Sequence, residues 1–122
     1  MAELTPEAQA LRRQAQREIR QNAGVMFRHR GTFTRGPHEW PVRFSVRDPD
    51  KVNRTAAAAA EASAQQFEVA YRDIRLLQVH PDDQRPVKGA QIAWDGGTLE
   101  LLAWSQESDF SGLKTGTCVL RR

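Results

Sequence analysis

The stretch from Pro86 to Trp104 constrains the fold more than any other part of the chain. Two runs with strand-like alternation, Gln91 to Trp94 and Thr98 to Trp104, flank Asp95-Gly96-Gly97. Glycine there supplies the positive backbone angles that a tight primed turn needs, so the pattern predicts a β-hairpin. A two-residue loop, centred on either Asp95-Gly96 or Gly96-Gly97, sets Ile92 and Trp94 on the same face as Leu99 and Leu101. A three-residue loop would put Ile92 opposite Glu100, and the side-chain period of two argues against that register. Leu102 and Trp104 then fall on the opposite, wet face, where a subunit interface is expected.

The rest of the chain reads as short strands around this hairpin. Trp40, Val42, Phe44 and Val46 alternate with Arg43, Ser45 and Arg47, which marks one core face and one wet face of a strand ending at Asp48-Pro49-Asp50. Val25 to Arg30 reads as an earlier strand, with Gly31 to Pro37 as a turn-rich connection. Phe67, Val69 and Tyr71 alternate as another, leading into Asp73 to Leu77, which suits a short strand or one helical turn. His80 to Pro86 is a turn, and Thr115 to Leu120 a last strand. Ahead of all these, Thr5-Pro6-Glu7 is a helix start with Thr5 as cap. Ala8, Leu11, Ala15 and Ile19 form a thin apolar stripe on a helix that should end near Asn22-Ala23-Gly24.

Residues 51–66 hold five consecutive alanines and no large apolar side chain except Val52. Alanine favours helix, but a segment with so little to bury gains little by docking. It reads as a mobile loop or a weakly formed helix. The expected fold class is therefore mainly β: a small antiparallel β-barrel or sandwich of about six strands, with an N-terminal α-helix and a long mobile loop. The expected division is residues 1–23 for the helix and 24–122 for the barrel, with the loop at 51–66.

Charge is unevenly placed. Residues 1–47 carry nine arginines against four glutamates, a net of +5, while the remainder carries nine basic and eleven acidic groups, a net of −2. Fifteen of the eighteen basic residues are arginine, whose fork suits phosphate and carboxylate. Arg12, Arg13, Arg17, Arg20, Arg43 and Arg47 are the residues expected to face DNA or an acidic partner. No run reaches the roughly 18 apolar residues of a membrane span, and the N-terminus carries charges where a signal peptide would be apolar. The chain reads as soluble and intracellular with no membrane partner. Cys118 is the only cysteine, so an internal disulfide is excluded and a small buried apolar residue is expected.

No spacing announces reactive chemistry. His29, His38 and His80 are scattered without a metal motif, and each reads as an ordinary surface or edge histidine. Asp82-Asp83 lies in a proline-flanked turn and reads as solvated. Gly96-Gly97 is too short for a phosphate loop and lacks a following helix. No enzyme, cofactor or metal is expected. Trp40 and Trp94 share faces with core residues and are expected to be buried, which leaves Trp104 as the exposed aromatic.

Pro86, Lys88-Gly89, Ile92, Asp95-Gly96-Gly97, Leu99 to Leu102 and the ending Cys118 to Arg122 resemble the C-terminal half of the head-tail joining proteins of tailed bacteriophages, also called neck, head-completion or stopper proteins. About the last fifty residues carry the likeness. Ala90 stands where the family commonly has an acidic residue, and leucines replace an aromatic usual in the second strand. The resemblance implies a virion structural protein at the head-tail junction, made in the host cytoplasm. It would form a homo-oligomeric ring around the DNA channel, with a portal or adaptor ring and tail terminator or tail proteins as neighbours and non-specific contact with packaged DNA. It transfers no site residues, because the family is built on interfaces. Under it, Leu11, Ile19, Ala56, Ala58, Ala60, Leu102 and Trp104 are interface candidates, and the alanine tract would order on assembly. The alternative from the arginines and tryptophans alone is a small β-barrel that binds nucleic acid directly.

Overall fold

A computed structural model describes residues 5–21, 26–105 and 113–122. The expected helix end at 22–24, residue Val25 of the first expected strand and the polar stretch at 106–112 with Phe110 lie outside them. Helix α1 runs Pro6–Gln21. Thr5 caps it as its sequence predicts: its Oγ1 accepts from the Ala8 amide at 3.1 Å.

Six strands follow: β1 His29–Arg35, β2 His38–Arg47, β3 Ile74–Val79, β4 Gln91–Trp94, β5 Gly97–Trp104 and β6 Gly116–Arg121. They close into an antiparallel barrel in the order β1-β2-β3-β6-β5-β4. The hairpin at the centre of the sequence argument is β4 and β5. Its loop is Asp95-Gly96, with Trp94 opposite Gly97 and Ile92 opposite Leu99. Asp95 and Gly96 both take positive φ, 46° and 75°, as a type I′ turn requires. The barrel closes where β4 meets β1 through the single pair Thr34 and Gln91.

The barrel interior is filled by Phe33, Phe44, Leu77, Leu99, Leu101 and Cys118, all essentially without solvent contact, with Trp40 and Val42 beside them. Trp94 is half-buried, its ring against Phe44 and edge-on to His29 at 4.8 Å. Burying each large side chain of this kind contributes about 1.5–3 kcal/mol, so the interior is the main source of stability.

Four expectations about the chain path change. The first strand starts four residues later than Val25 and runs through Gly31-Thr32-Phe33-Thr34-Arg35, the stretch expected to be a turn. Gly31 is there because a Cβ would lie 2.7 Å from Ile92 Cδ1, a close approach across the barrel and not a turn. The turn itself is Gly36-Pro37, between Arg35 and His38.

The second change concerns 51–66. Of the two readings, mobile loop or weakly formed helix, the structure has the helix: a 3-10 turn at Pro49–Lys51 leads into helix α2, Arg54–Gln66, whose Asn53 cap accepts from the Ala56 amide at 2.8 Å. Ala60 and Ala64 are buried against Ile74, Leu102 and Val119, which are side chains of the barrel's outer face. The large apolar groups come from the sheet, and alanine lets the helix approach it closely. Counting bulk within the segment itself could not show this.

Third, Phe67, Val69 and Tyr71 do not form a strand. Phe67 ends α2, Glu68 takes φ 56°, and Tyr71–Asp73 is a 3-10 turn before β3. The three side chains lie against the α2 cluster, so their alternation reports a shared covering role.

Fourth, Leu102 and Trp104 do not share a wet face. A β-bulge lets Leu101 pair with Cys118 while Ala103 pairs with Thr117, so one extra residue switches the alternation. Leu102 is buried beneath α2, and Trp104 turns back against the barrel core.

Candidate functional site

Two polar residues read as ordinary surface groups, His80 and Asp83, hold structural roles. His80 is 3% exposed, not a surface histidine. Its ring packs on Phe27, and its Nδ1 accepts from the Asp82 amide at 3.0 Å. Asp83, expected to be solvated, is bound by Arg43. Its carboxylate accepts from the Arg43 amide at 2.8 Å, from Nε at 3.1 Å and from Nη2 at 2.9 Å. The reason lies in the ladder. β2 pairs with β3 as far as Phe44 and Val79, and the His80 amide still reaches the Arg43 carbonyl at 2.9 Å. The Arg43 amide then takes the Asp83 carboxylate as the acceptor that a further strand residue would have supplied. The Arg43 hydrogen bonds hold the Asp83 carboxyl below the usual carboxylate range, and the same bond raises Arg43. Arg43 is therefore a structural tie whose side chain remains 38% exposed.

Tyr71 is tied similarly. Its hydroxyl donates to Asp50 at 2.5 Å, joining the turns before and after α2, and that bond to a carboxylate leads its pKa to be pushed up to about 12. Burial pushes the Cys118 thiol up. Among the described residues no group of three or more His, Cys, Asp or Glu could hold a metal ion.

Of the interface candidates, Leu11 is 55% exposed on α1. Ile19, on the same helix, is covered within the chain. Ala58 is exposed on α2 and Ala56 half-buried, but Ala60 is 2% exposed and belongs to the interior of the α2 contact. Leu102 is likewise inside. Trp104 is half-buried, its Nε1 donating to the Pro86 carbonyl at 2.8 Å and the Arg85 guanidinium lying 5.9 Å over its ring. Ile19, Ala60 and Leu102 thus cannot meet a neighbour without rearrangement.

Among the arginines, Arg13 and Arg17 are exposed on α1 and Arg12 is half-buried; the side chain of Arg20 lies outside the described residues. Arg47 is exposed at the rim of a groove of about 570 Å³ between α2 and the outer face of β2, β3 and β6. Small side chains, including Ala56, Ala59 and Thr117, line that groove.

A second concavity, of about 840 Å³, lies between the segment after α2 and the end of β6. Arg72, Arg75, Arg121 and Arg122 line it together with Glu68 and Asp73. The sequence argument placed the basic surface in the front half and missed this cluster. Its only sequence signals were the closing Arg121-Arg122 pair and the Arg72, Arg75 spacing on either side of Ile74. The antiparallel pairing of Ile74 with Val119 is what brings them together. Comparison with known proteins gives no match: no family model matches the chain, and no curated protein or solved structure is significantly similar.

Proposed function

We propose that this chain is a structural subunit at the head-tail junction of a tailed-bacteriophage virion, assembling as a ring that joins or closes the portal side of the capsid to the tail around the DNA channel. The observation that carries this reading is helix α1. It is a 16-residue amphipathic helix whose Ala15 and Ile19 are covered within the chain, while Leu11 on its first half stays 55% exposed. An isolated helix of that length is marginal in water. A neighbouring subunit that covers Leu11 would add the burial its first half lacks, and a ring provides such a neighbour to every copy.

Two further features support the reading. A rigid barrel with a filled interior and a helix fixed to its outer face is a body whose surface can be devoted to contacts. The hairpin and the closing strand are also the elements that carry the resemblance to head-tail joining proteins. Neighbours in this reading are a portal or adaptor ring on one side and tail terminator or tail proteins on the other. Mass spectrometry of purified particles of the phage encoding the chain tests it directly: several copies per particle are expected, and complete absence from mature particles would sink the reading.

A further inference from the structure

We propose that the cleft lined by Arg72, Arg75, Arg121 and Arg122 is a contact surface for the phosphate backbone of double-stranded DNA. The inference deepens the head-tail reading, on which its biological setting rests, by naming the surface of the subunit that meets the DNA.

The four guanidinium groups are available in different degrees. Arg72 is exposed, and its side chain makes no hydrogen bond or ion pair among the described residues. Arg75 is oriented from within the chain: its Nη1 donates to the carbonyls of Arg72 and Ile74 at 2.7 and 2.8 Å. The Nε and Nη2 donors remain for an external oxygen, and the guanidinium is held in place before any ligand arrives. Arg121 and Arg122 pair with Glu100 at 3.4 Å and Asp95 at 3.0 Å, and both arginine side chains are more than half exposed. Exposed pairs of this kind contribute about 0–1 kcal/mol and are readily exchanged for a phosphate.

The chemistry of the lining selects the partner. Of its apolar lining, Val119 and Leu120 are buried in the barrel wall, and only the half-buried Val69 and the small Ala70 reach the surface. Protein partners draw most of their binding energy from aromatic or apolar anchors seated in pockets, and Val69 and Ala70 are a small apolar surface beside four arginines. Among the described residues it also has no aromatic lining on which an unpaired base could stack, which is the usual means of holding a single strand. A repeating array of phosphates needs only forked cations on an open surface. Glu68 and Asp73 stand in the lining as well. They limit the affinity of one subunit, and a ring multiplies it by presenting several clefts to one duplex.

The test uses the full chain and a fluorescently labelled 30-base-pair duplex, with anisotropy read across a salt series. The wild type is expected to bind at low salt and to weaken steeply as salt rises. Arg72→Ala/Arg122→Ala should lose about tenfold in affinity at low salt and flatten the slope of log affinity against log salt by about 2. Arg13→Ala/Arg17→Ala should bind like the wild type. The proposal is overturned by wild-type protein that does not bind duplex at low salt, by unchanged binding in the cleft variant, or by preference for a single strand or for poly-glutamate. Mass photometry of the same samples keeps the two readings apart. Rings that form without cleft-dependent binding remove this inference alone, whereas cleft-dependent binding by a chain that never forms rings removes the ring.

Discussion

Replacing Asp83 with alanine should destabilise the barrel in a pH-dependent way whose size follows from three hydrogen bonds. The bond from the Arg43 amide is partly buried and goes to a charged acceptor, which is worth about 1.5–2 kcal/mol. The two bonds from the Arg43 side chain are discounted, because that side chain is 38% exposed and solvent screens it. Asp83→Ala should therefore cost about 2–3 kcal/mol at neutral pH, since it also leaves the Arg43 amide without its partner. Urea unfolding followed by circular dichroism should show a midpoint lower by about 1–2 M with an unchanged slope. Because Arg43 holds the folded-state pKa of Asp83 below the ordinary carboxylate value, its contribution is complete above that value, near 3.9. It is lost as pH falls through the lower folded pKa. The gap between wild type and variant should therefore begin to narrow below about pH 4 and close in stronger acid. An Asp83→Ala protein within about 0.5 kcal/mol of wild type at pH 7, or a gap that persists undiminished in acid, would refute the reasoning.

The docking of α2 predicts a contrast within one helix: Ala60→Leu should overpack the contact and cost about 1–3 kcal/mol, while Ala58→Leu should stay within about 0.5 kcal/mol of wild type in the same urea assay. At the hairpin, Gly96 has open space around it but φ of 75°, so Gly96→Ala should cost about 1–2 kcal/mol from backbone conformation alone, read as a lower unfolding midpoint.

What the sequence makes legible here is local periodicity with turn chemistry at its ends. Asp95-Gly96 fixes the register of β4 and β5, the alternation from Trp40 to Val46 identifies the core face of β2, and Thr5 announces α1. What it hides depends on partners distant along the chain. Ala60 and Ala64 look idle until Ile74, Leu102 and Val119 are seen across from them. Gly31 looks like a turn until Ile92 is placed over it. The bulge at Leu102 has no local marker, yet it turns Trp104 back to the core, while α2 covers Leu102 on the outer face. The same applies to function. The charge count located arginines along the chain, whereas pairing decides which of them cooperate: Arg43 is taken up by Asp83, and Arg72 and Arg75 are joined to Arg121 and Arg122.

The proposed ring would place the exposed Leu11 of helix α1 against a neighbouring subunit. Electron microscopy of the purified full chain at high concentration, alone and with portal-type rings, measures it most directly, with Leu11→Glu as the companion variant. Rings of uniform size, or decorated portals, are expected for the wild type, with assembly lost in a Leu11→Glu protein that melts like the wild type. A chain that stays monomeric under both conditions, or rings that form equally well with Leu11→Glu, would contradict it.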